Sequence, residues 1–190
     1  MSFGLKPVKN SWLILFLISG PYMLSTFLRA SPSVIAVDLA QEFQVTLNQL
    51  ASVSGFYVLS YGLMQIPSGL LADVIGARKT MGILLLLLAF GNMGFALSNT
   101  VEQATWARCL AGGGASLIVP SLVVLADAFS GSRYARASAA LLFLGNTGVA
   151  AAAAPLVLLV SLMGWRTVMI AVACLCIFFS LLLVMALPET

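Results

Sequence analysis

Residues 69–80 read GLLADVIGARKT, and this stretch decides how the rest of the sequence is interpreted. It places one acidic and two basic residues, Asp73, Arg78 and Lys79, between two long hydrophobic runs. Gly69 precedes Asp73 and Gly76 separates Asp73 from the two basic residues, and glycine permits a tight turn with close approach of the flanking helices. The stretch therefore predicts a short polar turn at a membrane surface, between two helices that cross the bilayer.

The composition extends this prediction to the whole chain. Of its 190 residues, 61% are hydrophobic and 8% charged, with a mean hydropathy of +1.08, whereas soluble domains are about half apolar and a quarter charged. A spanning helix needs roughly 20 apolar residues. We therefore predict an all-α, polytopic membrane protein, with residues 1–190 forming a single six-helix membrane domain. The predicted spans cover about 12–36, 50–71, 81–97, 104–126, 137–163 and 168–187.

The basic residues are distributed by side of the membrane. With six spans, the loops opposite the termini hold only Arg166. The positive-inside rule then places both termini in the cytoplasm. Short loops and the lack of a transit peptide fit a bacterial inner membrane, and the dispersed charge argues against a nucleic-acid partner. The basic residues on the predicted cytoplasmic side are Lys6, Lys9, Arg78, Lys79, Arg133 and Arg136.

The residue inventory argues against metal, cofactor or enzyme chemistry. The chain has no histidine, and its three cysteines lie inside predicted spans, where cysteine is a small packing residue. Without a nucleophile and base pair or a ligand cluster, an intramembrane enzyme is the weakest of the function classes. We therefore expect no metal, no cofactor and no catalytic residues.

An internal repeat appears when the sequence is offset by 88 residues, which superimposes PSVIAV (32–37) on PSLVVL (120–125). Because each unit, about 11–98 and about 99–190, holds three spans, the second unit must enter the membrane from the opposite side. Inverted three-helix repeats of this kind are known from secondary transporters. The same offset pairs Pro67 with Pro155, Gly76 with Gly164, and Arg78 with Arg166.

The opening stretch resembles the G-x-L-A-D-[RK]-x-G-[RK]-[RK] signature of the major facilitator superfamily, in the loop between helices two and three. Val74 and Ala77 depart from its basic positions. Three further places resemble the family: a fourth-helix motif, the turn into helix six and the exit from helix six. The matching residues are Gly69, Leu71, Ala72, Asp73, Gly76 and Arg78, then Arg108, Gly112 and Gly114, then Gly164, Trp165 and Arg166, and Leu187, Pro188, Glu189 and Thr190.

The resemblance implies the amino-terminal half of a twelve-helix carrier that moves a small solute by alternating access. The chain is then a fragment, a half-size protein that pairs with itself, or a module that has lost transport. A second six-helix half, or a second copy, is the implied partner within the bilayer. The resemblance also implies a cytoplasmic gate in which Asp127 pairs with Arg78 and Arg136 with Asp73. The gating residues it implies are Gly69, Asp73, Gly76, Arg78, Asp127 and Arg136.

Ionisable residues inside spans are costly and are candidates for function. Arg29 and Arg108 lie in spans that run in opposite directions, each on the order of 10 Å below the outer surface at about 1.5 Å per residue. Two guanidinium groups at one depth suit a carboxylate or phosphate, so we predict an anionic substrate. Snorkelling of Arg29 and a backbone bond from Arg108 are the structural alternatives.

Polar residues in other spans extend the predicted substrate site. Tyr57, Tyr61 and Gln65 are spaced four apart and share one helix face, and Asn146 in the fifth span faces them in the prediction. Transport of a small organic anion is the leading function. The alternative is a non-transporting half-carrier that serves as a membrane interaction or scaffold protein, and this predicts tolerance of Gln65 and Arg108 to alanine.

Overall fold

The computed structural model describes residues 10–187, which are folded as helices joined by short turns. The predictions that involve Lys6, Lys9, Pro188, Glu189 and Thr190 lie outside the described residues. Within residues 10–187 the chain forms nine helices: α1 (Ser11–Val34), α2 (Ala36–Phe43), α3 (Leu47–Ile75), α4 (Ala77–Ala96), α5 (Val101–Gly114), α6 (Ile118–Ala128), α7 (Ser132–Ala151), α8 (Ala154–Met163) and α9 (Trp165–Ala186).

These helices supply the six predicted membrane spans. Helices α1, α3, α4 and α9 are each long and apolar enough to cross a bilayer, and α5 with α6 forms a fifth span over Val101–Ala128. The sixth is α7 with α8, bent by 44° at their junction. Pro155 lies at the start of α8, and a proline has no N–H to continue the preceding helix. The predicted all-α fold with six spans is confirmed.

The polar turn within residues 69–80 is shorter than predicted. We expected a loop between about residues 71 and 81, but α3 continues to Ile75 and α4 begins at Ala77, so Gly76 alone separates them. Gly76 adopts φ 88°, a region that residues with a Cβ rarely occupy. The paired residue Gly164 separates α8 from α9 in the same way, with φ 79°. Both repeats therefore turn on a single glycine.

Reciprocal arginine contacts join the third helix of each repeat. Arg78, at the start of α4, donates from Nη1 to the carbonyl oxygen of Leu187 at the end of α9, over 2.8 Å. Arg166, at the start of α9, donates to the carbonyl oxygens of Ala96 and, over 2.6 Å, Ser98, at the end of α4. The last carbonyl groups of a helix lack partners within it and attract cations. The two antiparallel helices thus bind each other's ends, as an inverted repeat requires.

A second pair of related contacts lies at the helix crossings. On α5, a Cβ atom at Gly112 would lie 2.2 Å from the Tyr57 carbonyl oxygen of α3. On α7, a Cβ atom at Gly148 would lie 2.1 Å from the Met23 carbonyl oxygen of α1. Oγ of Ser60 on α3 also lies close to the Gly112 position. The 88-residue offset of the internal repeat pairs Ser60 with Gly148. Small residues thus bring α3 against α5 and α1 against α7 at corresponding places.

One helix remains largely uncovered by the rest of the bundle. Only 11% of the most apolar stretch of α3 is buried, against 61% for α1 and α4. A face this apolar lies against lipid or against another helical bundle, because it has no favourable contact with water. Its exposed large side chains are Phe56, Val58, Leu59, Leu63, Ile66, Leu70 and Val74.

Candidate functional site

Arg108 on α5 is completely enclosed by protein. Its side chain is 0% exposed, and its Nη2 donates to the carbonyl oxygen of Leu28 on α1 over 2.6 Å. Its guanidinium carbon lies 4.2 Å from the ring centroid of Tyr57 and 5.2 Å from that of Phe95. Aromatic faces attract cations, most strongly where water is excluded. Two π faces and one carbonyl therefore stabilise this buried charge.

The contacts of Arg108 bear on the predicted pair of arginines. Because it bonds to Leu28, the residue directly before Arg29, the two arginines lie at one level of the bundle. The guanidinium of Arg108 is enclosed in this conformation and donates to a backbone carbonyl oxygen. This is the structural alternative to substrate binding that the sequence left open for Arg108. Its Nε and Nη1 have no hydrogen-bond acceptor among the described residues.

Tyr57 on α3 holds the same junction from the other side. Its side chain is 1% exposed, and its hydroxyl donates to the carbonyl oxygen of Ser25 over 3.2 Å. The Ser25 hydroxyl in turn donates to the Ala115 carbonyl oxygen, over 3.3 Å, where α5 ends. Tyr57 therefore ties α1 and α3 to the break in the fourth span and packs with Arg108 in the interior.

Arg29 presents its charge at the edge of this buried cluster. It is half-buried, and its guanidinium carbon lies 5.7 Å from the ring centroid of Tyr61, which is also half-buried. Tyr61 follows Tyr57 by one helical turn, so the stripe on α3 leads from the enclosed Tyr57 to a partly open Tyr61. Arg29 is thus the less buried arginine of the pair, and its role in substrate binding stays a prediction.

The two amides of the predicted site differ in their surroundings. Gln65, one turn beyond Tyr61, is half-buried. Asn146 on α7 is exposed, and its Nδ2 donates to the Leu142 carbonyl oxygen of its own helix over 2.8 Å. Among the hydrogen bonds and ring contacts of residues 10–187, none joins Asn146 to Arg29, Tyr61 or Arg108. A role for either amide in substrate binding stays a prediction.

Sequence reasoning missed the hydroxyl groups that connect the spans. The Thr26 hydroxyl donates to the Gly145 carbonyl oxygen over 2.5 Å, joining α1 to α7. The Ser116 hydroxyl, in the break between α5 and α6, donates to the Tyr61 carbonyl oxygen over 2.9 Å. The sequence could have indicated these contacts by a serine or threonine next to helix-breaking residues in a span. Such side chains form hydrogen bonds with the backbone groups that the break leaves without partners.

The family comparison matches this architecture. The sequence model of the family described as the Major Facilitator Superfamily matches residues 15–190, which is nearly the whole chain. The chain belongs to the Major Facilitator Superfamily. The suspected resemblance of its sequence motifs is therefore confirmed, and the superfamily is one of membrane transporters rather than of enzymes.

Solved structures show how much of a superfamily member is present. The xylose transporter XylE from E. coli, in its inward-open conformation, superimposes with a TM-score of 0.79 at 17% identity, over 95% of this chain and 48% of that one. A bacterial homologue of the human lysosomal transporter Spinster, inward-facing and unoccupied, gives 0.78 at 19% identity, over 98% of this chain and 44% of that one. The chain has the fold of one half of these proteins.

Sequence relatives match over shorter stretches. The uncharacterized transporter YybO of Bacillus subtilis is 38% identical over 71 residues, which is 37% of this chain and 16% of that protein. The putative multidrug resistance protein MdtD of Salmonella paratyphi B is 41% identical over 64 residues, which is 34% of this chain and 14% of that protein. These matches leave most of each relative uncovered.

The predicted gating residues lie at one end of the bundle. Asp73 and Asp127 are exposed at the ends of α3 and α6, and Arg136 is exposed on α7, where its Nε donates to the Ser132 carbonyl oxygen over 3.4 Å. At Gly69, a Cβ atom would lie 3.3 Å from Val119, so α3 and α6 approach closely there. Within residues 10–187 no ion pair joins Arg78 to Asp127 or Asp73 to Arg136. Their gating role stays a prediction.

The opposite end of the bundle carries an ion pair that sequence reasoning did not foresee. Glu42 on α2 accepts hydrogen bonds from Trp165 Nε1 over 2.6 Å and from Arg166 Nε over 2.8 Å. Partial burial raises the pKa of the Glu42 carboxyl, but the hydrogen bonds from Trp165 and Arg166 outweigh this and hold the pKa below its ordinary value near 4.5. Glu42 thus attaches α2, the short helix that follows the first span, to α9.

The lowered pKa of Glu42 gives a testable pH dependence. A carboxyl with a depressed folded-state pKa stabilises the fold above about pH 4.5, and this contribution is lost as the pH falls through the lowered value. We expect E42Q to lower the unfolding free energy at neutral pH by up to about 1 kcal/mol, because the pair is partly exposed. The difference from the parent should shrink below pH 4.5, as the pH falls through the lowered pKa and the Glu42 carboxylate becomes protonated.

Thermal unfolding of both proteins in detergent, followed by circular dichroism across this pH range, measures the effect. The matched control is D38N, which removes an exposed carboxylate from the same short helix. It should leave the acid dependence of the parent in place. An E42Q protein that unfolds with the parent's pH dependence would contradict the assignment to Glu42.

Proposed function

We propose that this chain is the amino-terminal transport module of a secondary transporter that moves a small organic anion by alternating access. The observation that carries the proposal is the contact of Arg29 with Tyr61. The half-buried Arg29 guanidinium lies 5.7 Å from the Tyr61 ring centroid, beside the enclosed pair of Arg108 and Tyr57, and in this proposal it faces the substrate. Arginine can grip a carboxylate or phosphate with two hydrogen bonds.

The remaining predicted residues take supporting roles in this proposal. Tyr61 and Gln65 line the wall of α3, and Asn146 contributes from α7 when the second half or a conformational change brings it to the substrate. Arg108 acts through Arg29: its bond to Leu28 fixes the depth and direction of the neighbouring charge. The turn at Gly76, with Asp73, Arg78, Asp127 and Arg136, forms the gate at one end of the path.

The orientation proposed is that of a bacterial inner-membrane protein with both termini in the cytoplasm. Arg78, Lys79, Arg133 and Arg136 lie at the end of the bundle that holds the Gly76 turn, while Arg166 lies at the other. Basic residues near span ends favour the cytoplasmic side. The proposed gate then closes the path from the cytoplasm.

The exposed face of α3 supports a second bundle as partner, and we propose a second copy of this chain. Purified protein in lipid discs, weighed by native mass measurement over a range of protein concentrations, should have twice the mass of one chain. Saturable uptake of one class in a panel of carboxylates and phosphate esters should then follow in proteoliposomes. A monomer at every concentration would contradict self-pairing and leave the second half to be supplied by something other than a second copy of these 190 residues.

The scaffold alternative predicts a different outcome from the same preparation. A dimer that takes up no member of the panel, and whose assembly tolerates alanine at both Gln65 and Arg108, would overturn transport in favour of a membrane interaction protein. The native mass and the uptake therefore separate the two functions.

A further inference from the structure

A polar cavity of about 650 Å³ lies where α1 begins, against the end of α6 and the start of α7. It is at the end of the bundle that holds the Gly76 turn. From Ser11, which lines the cavity, to Arg29 the helix rises roughly 27 Å at about 1.5 Å per residue. The cavity is therefore remote from the proposed substrate contact, and of its lining residues only Arg136 also belongs to the proposed gate.

Local contacts hold the walls of this cavity in place. The Asn10 side chain accepts a hydrogen bond from the Trp12 backbone N–H over 3.1 Å and so caps α1. The Ser11 hydroxyl donates to the Ala128 carbonyl oxygen, at the end of α6, over 2.9 Å. Trp12 and Phe129 pack edge to face with ring centroids 5.2 Å apart. The cavity is thus defined by α1 and α6 together rather than by one mobile loop.

The charge of the lining is positive. Arg133 and Arg136, three apart and so on one face of α7, both line the cavity and both are exposed. Among the described lining residues there is no carboxylate, and Asp127, the nearest acidic residue in the sequence, lies outside the lining. Within residues 10–187 neither arginine forms an ion pair. Two guanidinium groups therefore line a space in which the described residues place no counter-charge.

The aromatic wall indicates which kind of anion fits. Trp12 is 53% exposed, and it begins a membrane-spanning helix, the level at which tryptophan rings meet lipid headgroups. An apolar ring does not stabilise a free anion that is surrounded by water. The glycerol and upper acyl carbons of a phospholipid, in contrast, can pack against such a ring. Basic cavities between spans on the cytoplasmic side suit acidic lipid headgroups.

We propose that this cavity binds the phosphate group of an anionic phospholipid. Arg133 and Arg136 donate hydrogen bonds to the phosphate oxygens, for which the planar guanidinium is well matched. Trp12 and Phe129 contact the glycerol region beneath. The lipid would contact the start of the first span (α1) and the start of the fifth span (α7), two helices that already pack against each other.

Lipid binding to the purified chain tests the proposal. Native mass spectrometry in detergent, with added phosphatidylglycerol or phosphatidylcholine, measures how many lipids of each kind stay bound. We expect one phosphatidylglycerol to bind in preference to phosphatidylcholine. Each basic residue near a headgroup contributes about a fivefold factor, so R133Q or R136Q should weaken binding roughly fivefold and the double variant roughly 30-fold.

A matched charge removal separates this site from the general attraction of a basic surface. Lys79 is exposed at the same end of the bundle but lies on a different groove, between α4 and α9. K79Q should bind phosphatidylglycerol as the parent does. Equal weakening by K79Q, or unchanged binding in the double variant, would overturn the site.

Inorganic phosphate distinguishes a lipid from a soluble ligand. Millimolar phosphate should leave bound phosphatidylglycerol in place, because it lacks the glycerol region that contacts Trp12. Displacement of the lipid by phosphate alone would show a site for a soluble anion and would overturn the lipid assignment. Circular dichroism and gel filtration of every variant identify any loss of folding.

Discussion

Replacing Gly112 with alanine is expected to destabilise the protein by about 2 to 3 kcal/mol, because α5 has no room for a side chain where it crosses α3. The added Cβ atom would lie 2.2 Å from the carbonyl oxygen of Tyr57 and 2.3 Å from Oγ of Ser60. The first of these is a backbone atom and cannot rotate away. The two helices must therefore separate or tilt.

The displacement would reach the candidate site directly. Arg108 precedes Gly112 by one helical turn on the same face of α5. Moving α5 away from α3 lengthens the 4.2 Å contact between the Arg108 guanidinium and the Tyr57 ring. The charge then loses part of its compensation in a region where water is excluded. We expect transport to fall together with stability in this variant.

Gly113 provides the matched control for this prediction. A Cβ atom at Gly113 would have no atom within 4 Å, and alanine favours a helix over glycine by about 1 kcal/mol. G113A should therefore be as stable as the parent or more so. Equilibrium unfolding in mixed micelles measures both variants, and a G112A protein as stable as G113A would show that the crossing is looser than the structure describes.

Reversing the charge of Arg29 is expected to lower uptake of an anionic substrate at least about 100-fold, since a charge-assisted hydrogen bond is lost and a repulsion is added. Folding should persist, because Arg29 is half-buried at the edge of the cluster and Arg108 keeps its own bond to Leu28. The variant is R29E, assayed in proteoliposomes with the assembly that native mass measurement identifies.

Two companion variants give this result its meaning. R29K keeps the charge but not the planar pair of donors, so it should retain part of the uptake with a raised KM. K79E makes the same reversal at an exposed position at the other end of the bundle and should transport normally. Uptake by R29E at the parent's rate would exclude Arg29 from substrate binding and favour snorkelling to the headgroups.

The two arginines show where sequence reasoning reaches its limit. Both were predicted from their depth in opposite spans, and Arg108 does meet α1 directly beside Arg29. Which guanidinium is enclosed could not be predicted, because lipid and protein interior are both apolar. A helix that is apolar all round carries no hydrophobic stripe to mark its inner face.

The predicted gate shows the same limit at the surface. The sequence offered Asp127 as a partner for Arg78, since both lie near the ends of neighbouring spans. In the structure Arg78 donates a hydrogen bond to the Leu187 carbonyl oxygen, 109 residues along the chain, which the sequence did not predict. Packing of the whole bundle decides which helix ends come together. The positions of charged residues along the sequence therefore could not predict that Arg78 contacts α9, or that Arg166 contacts both α4 and Glu42.

By itself, the sequence determined the number of spans, the inverted repeat and the glycine turns, because span length, proline spacing and backbone freedom are local properties that a bilayer enforces. Only the tertiary structure decided which polar side chains are enclosed and which remain accessible. Burial of Arg108 at 0% exposure beside a half-buried Arg29 depends on how close α5 comes to α1 and α3. That distance is set by small residues on facing helices, such as Gly112 against Tyr57, and so by contacts between residues far apart in the chain.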